Sequence, residues 1–400
     1  MEGLNNTQAR SLNISWDIHI TRWGELITEV LALIERRFIV LDHHKESSMG
    51  DDEDRIEIDI YRVAPQDPSS IERSFKELYR EVISMGYYPQ LISIDGNYYL
   101  RIYNIGKRRS YNPLTIVILL LASIATVTIT SYMWYSQDLE IARRFGIETE
   151  SLRLGTIYVA ILALSILGPL AIHELGHFLT SRILRLPATP PYFIPGPPGI
   201  GLGTFGAVIL MRFLPATADD LAMVAIAGPL AGFAAILIVT IYGISTSYMI
   251  PSSMAASFQE ISFSPLLFTL MVNTLVNPGQ DEVVILNPVA YAGYFLMLIH
   301  FLNLLPVAQL DGGQVLRSLV SMRTHMMIGV TISIAMIVAA MFLRAEILIT
   351  IAFFLLIIFL ATGMRSHPGP AYREAKPGLG AAIAAILWII MLAMTIPLPL

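Results

Sequence analysis

Hydrophobic and polar positions divide the chain in two. Over residues 1–112 apolar residues recur at short periods among charges. In 24–38, "GELITEVLALIERRF", they fall at helical spacing, and in 54–63, "DRIEIDIYRV", they alternate as on a half-buried strand. The stretch "QDPSSIERSFKELYREVISMGY" predicts a helix that Ser69 or Ser70 caps and Gly86 ends. "QLISIDGNYYLRIYN" predicts a hairpin with Asp95-Gly96 or Gly96-Asn97 in its turn. These elements predict a small α+β soluble domain over 1–112. The charged run 42–55, "DHHKESSMGDDEDR", reads as a flexible loop within it. Its adjacent His43 and His44 could touch a metal, but a solvated loop is the expectation.

From residue 113 onward the apolar runs lengthen, and about 20 such residues cross a bilayer. Spans are expected near 114–133, 155–184, 221–242, 289–305, 326–343, 347–360 and 379–394. The pattern therefore predicts a polytopic α-helical membrane protein, with about 6–8 transmembrane helices over 113–400 and a small α+β amino-terminal soluble domain. Two stretches break the pattern. Residues 187–213 carry too much Pro and Gly for a helix, and their second half, "GLGTFGAVILM", suits short strands. Non-helical backbone at membrane depth must be buried in protein or line a wet cavity, so this segment is a candidate part of a working site. Residues 264–276 are too short to cross alone and read as interfacial. In the third span "AGPLAG" sets Gly228 and Gly232 four apart, a close-packing spacing for helices in lipid.

Composition supports the membrane class and narrows the chemistry. The 400 residues are 54% hydrophobic and 14% charged, against about 25% charged in soluble domains. There is no cysteine, which excludes disulfides and thiolate metal sites and leaves His, carboxylates and neutral oxygens as ligands. The net charge of −5 gives no sign of a nucleic-acid partner. The first residues lack a basic start followed by an apolar core, so no signal peptide is expected. Basic residues flank the spans unequally. Lys107–Arg109, Arg182, Arg185, Arg212, Arg317, Arg323, Arg365, Arg373 and Lys376 fall on one side if the spans alternate, while Arg143, Arg144, Arg153 and Arg344 fall on the other. The heavier side is expected to be cytoplasmic, together with the amino-terminal domain.

The second span holds the chemistry. Its "HELGH" puts His173 and His177 four apart on one helical face, so both imidazoles can reach one metal ion. Glu174 sits about 100° round the helix, near enough to serve a water without binding the metal. This is why H-E-x-x-H marks zinc hydrolases, with the glutamate as general base. Three ionisable groups within five residues of a span are costly unless ligated or paired, which favours function over packing. Pro169 removes one helix hydrogen bond just upstream and is expected to kink the span. A catalytic zinc takes three protein ligands and keeps one position open. The candidate for the third is Asp311 in "HFLNLLPVAQLDGGQV", residues 300–315. Alone, Asp311 reads as a helix cap; beside H-E-x-x-H it reads as a ligand. Asn303 could stabilise a developing oxyanion or make an interhelical hydrogen bond. His300 reads first as an interhelical contact, and otherwise as an outer partner of the metal ligands.

H-E-L-G-H at 173–177 with N-x-x-P-x-x-x-L-D-G at 303–312 resembles the site-2 protease family of intramembrane zinc metalloproteases, peptidase family M50. "GTFGAVILM" (203–211), "AGPLAG" (227–232), "NPVAYAGY" (287–294) and "NLLPVAQLDGGQV" (303–315) are similar to the branch with plant chloroplast and archaeal members. The likeness runs through a core of about 155–320 and leaves 1–112 unmatched. It implies one zinc per chain on His173, His177 and Asp311, with Glu174 as catalytic base. It also implies transmembrane protein substrates and a multi-pass location in the bilayer, and the basic-residue bias adds the expectation that the active site lies toward the cytoplasm. The competing expectation is a polytopic metal-ion transporter with a mid-membrane site. The position of Glu174, spare as a ligand, argues against it, as does the lack of an internal repeat.

Overall fold

The computed structural model describes residues 28–49, 55–104, 111–211, 213–258, 260–277, 279, 281–343, 346–361 and 366–400. Its contacts form two compact units: one runs up to Arg108 and includes Ala371–Ala375, and the other comprises Arg109–Pro370 with Lys376–Leu400.

In the amino-terminal unit, helix α1 (28–35) leads to strands β1 (Phe38–Met49) and β2 (Arg55–Pro65), helix α2 (Ile71–Ser84), and strands β3 (Tyr87–Ile94) and β4 (Asn97–Asn104). The strands pair antiparallel in the order β1-β2-β4-β3. The hairpin turns on Asp95 and Gly96, both at positive φ (51° and 80°), the left-handed pair that a two-residue turn requires. Phe75, Leu78, Tyr79 and Val82 bury one face of α2 in the unit's core with Leu91 and Leu100. Ser70 stands at the start of α2 without a side-chain cap bond; the capping carboxylate is Asp67, which accepts from Ser69 N one short turn earlier. Residues 42–49, expected within a loop, are instead the second half of β1. His43 pairs with Tyr61, stacks on its ring at 4.4 Å, and sets Nε2 2.9 Å from Asp59 Oδ1. Polar side chains on both faces hide the alternation there. Residues 50–54, the rest of the expected loop, lie outside the described residues. Ala371–Ala375 adds to the free edge of β3: Leu91 N–H donates to Ala371 O (3.1 Å), and Arg373 N–H donates to Leu91 O (3.0 Å). Tyr372, buried, sets its ring 5.9 Å from Phe75.

The second unit is mostly helical. It contains α3 (Pro113–Phe145), α4 (Glu150–Leu154), α5 (Thr156–Ile183), β5 (Tyr192–Pro195), β6 (Thr204–Val208), α6 (Ala218–Ser245), β7 (Tyr248–Pro251), β8 (Phe263–Pro265), α7 (Leu266–Leu275), β9 (Glu282–Ile285), α8 (Pro288–Leu304), α9 (Asp311–Leu319), α10 (Met322–Leu343), α11 (Glu346–Ala361), α12 (Leu379–Thr395) and β10 (Pro397–Pro399). Among the described residues, four helices are long and apolar enough to cross a membrane: α3, α5, α6 and α10. The other apolar helices are shorter; at 17 residues, α8 and α12 reach about 26 Å each. The first long helix outruns its expected end at residue 133 by twelve residues. Its polar extension is satisfied inside protein, where Asp138 accepts hydrogen bonds from Ser151 Oγ (2.5 Å) and Tyr248 OH (3.2 Å). The expected basic flank Lys107–Arg109, with Arg212, Arg344 and Arg365, lies outside the described residues.

Helix α6 is central, packed along α5 and against α8, α9 and α12. The approach to α5 is close because neither helix has a side chain in the way. A Cβ on Gly176 would stand 2.5 Å from Ala227 O, and one on Gly228 would overlap the His177 ring. Pro169 lies buried within α5, which continues unbroken past it to Ile183. Tyr158, Leu162 and Ile166 of α5 share a core with Ile236 of α6 and Met297 of α8.

Candidate metal centre

Helix α5 delivers His173, Glu174 and His177, all buried at 6–8% exposure. The third group arrives from 134 residues further on. After α8 the chain turns through Leu305–Leu310, with Ala308 at φ 47°, and re-enters a helix at Asp311. The turn is tight because Gly312 and Gly313 follow. A Cβ on Gly313 would stand 2.7 Å from Ala308 O, and one on Gly312 would overlap Leu304 O. Trp388 of α12 closes the turn from outside, its Nε1–H donating to Leu304 O at 2.7 Å.

Asp311 is the first residue of α9, and Leu310, not Asp311, occupies the cap position. Its carboxylate turns to the histidines: Oδ2 lies 3.1 Å from His173 Nε2 and Oδ1 lies 3.3 Å from His177 Nε2. Of the two readings open for Asp311, the side chain thus follows the ligand one. The two Nε2 atoms are 3.1 Å apart. Among the described residues this is the one group of three such side chains whose ligand atoms all come within 4.8 Å of one another. His43 and His44 belong to no such group.

The electrostatics of the triad call for a cation. His177 Nδ1–H donates to Val224 O at 2.8 Å, which leaves a lone pair on Nε2. That lone pair, a carboxylate oxygen and the second imidazole nitrogen are packed within hydrogen-bonding distance and away from water. Nitrogens of two buried histidines and an oxygen of the partly buried Asp311 match the donor set of a catalytic zinc site with three protein ligands. Glu174 stays outside the triad, and the backbone amide of Ile209, one residue past β6, faces its carboxylate. The Pro- and Gly-rich segment therefore does reach the centre, as a strand. β5 and β6 pair antiparallel, with Phe193 opposite Ala207 and Thr189 N–H donating to Leu210 O (3.0 Å) beyond the strand ends. Among the described residues β6 pairs with β5 alone, and Phe205 on it is 63% exposed.

Asn303 lies on the last turn of α8, half-buried, and its amide makes no hydrogen bond among the described residues. His300, one turn earlier, is set edge-on to the His173 ring, with centroids 6.4 Å apart. Sequence reasoning read it first as a contact between helices and otherwise as an outer partner of the metal ligands. It also did not foresee that Gly228 and Gly232 are the surfaces on which the two ligand rings rest, because spacing alone identifies a packing face without naming what packs there.

Comparison with known proteins matches residues 160–345 to the model of peptidase family M50. Among curated proteins, the chain is similar to the probable zinc metalloprotease EGY2, chloroplastic, of Arabidopsis thaliana, 31% identical over 161 residues. That stretch is 39% of this chain and 28% of the relative. The rice protein of the same name (Oryza sativa subsp. indica) is 28% identical over 166 residues, covering 40% of this chain and 28% of the relative. The probable zinc metalloprotease EGY1, chloroplastic, of Arabidopsis thaliana is 28% identical over 159 residues, or 38% and 28%. The chain thus spans less than a third of the length of the curated relatives it matches. No solved structure matches it.

Proposed function

We propose that the chain, whose residues 160–345 match the model of peptidase family M50, is an integral membrane zinc metalloprotease that hydrolyses peptide bonds in or near transmembrane segments of other proteins. The observation that carries this reading is the meeting of His173, His177 and Asp311 from two helices, with Glu174 beside them and outside the triad.

His173 Nε2, His177 Nε2 and the Asp311 carboxylate would hold one zinc. When bound, zinc supplies the Lewis acidity that makes water a nucleophile near neutral pH. Glu174 takes the proton from that water as its oxygen bonds to the scissile carbonyl carbon, and returns it to the leaving amide nitrogen as the C–N bond breaks. The unoccupied amide of Asn303 donates to the carbonyl oxygen as it gains negative charge. A peptide bond inside a helix is shielded by the helix's own hydrogen bonds, so the substrate must unwind, and unwound backbone in lipid needs partners. The free edge of β6 offers them by strand addition, leading an extended segment toward Glu174. Arg182 lies in the last turn of α5 and Arg185 just beyond it, and Arg317 and Arg323 follow Asp311, so the basic-residue bias favours the cytoplasmic side for this end of the site. Counting α8, α11 and α12, three of the four shorter apolar helices, with the four long ones gives seven crossings, the ten-residue α7 being left as interfacial. The amino-terminal α+β unit is then cytoplasmic.

The test uses wild type and the variants Glu174→Gln and Asp311→Ala, purified and incubated with a membrane-spanning substrate in vesicles. Wild type and Glu174→Gln should each hold about one zinc, while Asp311→Ala should hold little. Wild type should cleave, Glu174→Gln should be slower by about 10²–10⁴-fold, and Asp311→Ala, short of zinc, should lose activity. Equal cleavage by Glu174→Gln would overturn the mechanism, and zinc flux without cleavage would establish transport instead.

A further inference from the structure

His300 is 2% exposed on α8, in an apolar setting, and its Nε2 is fully buried without a hydrogen-bond partner among the described residues. Leaving such an atom unpaired is costly, so a native site that keeps one calls for an explanation. Its surroundings supply it. The ring is held in place by Phe233, stacked at 5.3 Å and 20°. It meets the His173 ring edge-on at 6.4 Å and 89°. On the other side of that contact is a second unmet atom. His173 uses Nε2 toward Asp311 and His177, and its Nδ1 makes no hydrogen bond among the described residues. Nδ1 lies over Gly232, where a Cβ would stand 3.0 Å away, and Gly232 is the neighbour of Phe233. Gly232, under His173 Nδ1, and Phe233, stacked on the His300 ring, are adjacent residues of α6.

The other ligand gives the comparison. His177 has its outer nitrogen committed to Val224 O at 2.8 Å, which fixes its proton on Nδ1 and frees Nε2. Metal-binding histidines need such an outer acceptor, because it sets the tautomer and the ring's orientation. For His173 the polar side chain set against its ring is His300. The geometry points to His300 as the positioning residue of His173: its Nε2 accepts the His173 Nδ1–H and so holds the His173 Nε2 lone pair toward the metal. His300 is not itself a ligand, since the converging group comprises His173, His177 and Asp311 alone. The ring centroids stand 6.4 Å apart, so the bond forms as the two rings draw together around the bound metal. The inference rests on the zinc reading above.

The experiment measures zinc dissociation constants by chelator competition on the full-length protein in detergent, with cobalt(II) substitution as a spectroscopic readout of ligand geometry. His300→Phe keeps the stack on Phe233 and removes both nitrogens; His300→Gln returns an amide oxygen that can accept. His300→Phe should weaken zinc binding by about 10–100-fold and alter the cobalt visible spectrum, and His300→Gln should recover most of both. If His300→Phe does not fold, the smaller His300→Leu is read in its place with the same expectation. Zinc affinity within twofold of wild type and an unchanged cobalt spectrum would overturn the role of His300. His173→Ala separates the two levels. If it loses zinc while His300→Phe does not, only the His300 inference fails; if it binds zinc like wild type, the metal reading itself fails.

Discussion

Replacing Gly228 by alanine tests whether the close approach of α5 and α6 exists for the metal site. An ideal Cβ at this position would stand 2.6 Å from His177 Cε1 and nearer still to Nε2, where ordinary contact begins at 3.4 Å. The ring must therefore retreat by at least 0.8 Å (3.4 − 2.6). It has little freedom to do so: Nδ1 is fixed on Val224 O at 2.8 Å, and Val224 lies one helical turn from Gly228 on the same helix. Either the helices part or the imidazole swings away from Asp311. Overpacking of this kind costs about 1–3 kcal/mol of stability. The effect on zinc should be larger, since ligand distances tolerate only about 0.2 Å. Outer partners of ligands are worth about 10–100-fold in affinity, so displacing a ligand should cost more than about 100-fold. Metal content by mass spectrometry and chelator competition read it directly. Gly168→Ala is the control, because its Cβ would meet nothing nearer than Leu164 Cδ1 at 3.9 Å on the same helix. A folded Gly228→Ala protein holding stoichiometric zinc with wild-type affinity would refute the reasoning.

Two further outcomes can be checked. Proline at Phe205 or Ala207 disrupts β6, the strand proposed to receive substrate, so cleavage should fall about tenfold with zinc content unchanged; normal cleavage would rule out strand addition. In the amino-terminal unit the Tyr61 phenol is pushed up to about 12 from its ordinary 10.0, by burial first and then by Asp59. Because the folded value lies above the unfolded one, the stabilisation is complete below pH 10 and is lost as pH rises toward 12. Phenolate absorbance of wild type against Tyr61→Phe should isolate one late-titrating tyrosine, and its absence would contradict the burial.

The candidate site was legible where chemistry is local. His173, Glu174 and His177 declare themselves by spacing on one helix, and burial in an apolar run makes their cost visible without coordinates. Asp311 was legible only as a pair of possibilities, since a carboxylate before Gly-Gly suits a cap as well as a metal. What decided between them is a side-chain direction, which no spacing encodes. The strands 192–195 and 204–208 could be suspected because Pro and Gly forbid a helix there, yet their reach to Glu174 depends on a hairpin register set by both halves. The full length of α3 was hidden because Asp138 looks like the end of a span until Ser151 and Tyr248 come across to pair with it. His300 was legible only as the lesser of two readings, because a buried histidine in a helix looks like packing until the ring it faces is located.

The β-bridge that Ala371–Ala375 makes to β3 has a consequence for biosynthesis. The sheet it completes is otherwise built from residues before 105, yet this last piece is translated after eleven of the chain's twelve labelled helices. Until then the β3 edge is open and the site of Tyr372 beside Phe75 is unfilled, the kind of unpaired edge that recruits other chains. The amino-terminal unit is thus a domain whose sequence is not contiguous. A fragment ending before residue 371 should be less stable and more prone to associate than the same unit in the whole protein, and newly made chains should pass through that exposed state each time they are synthesised.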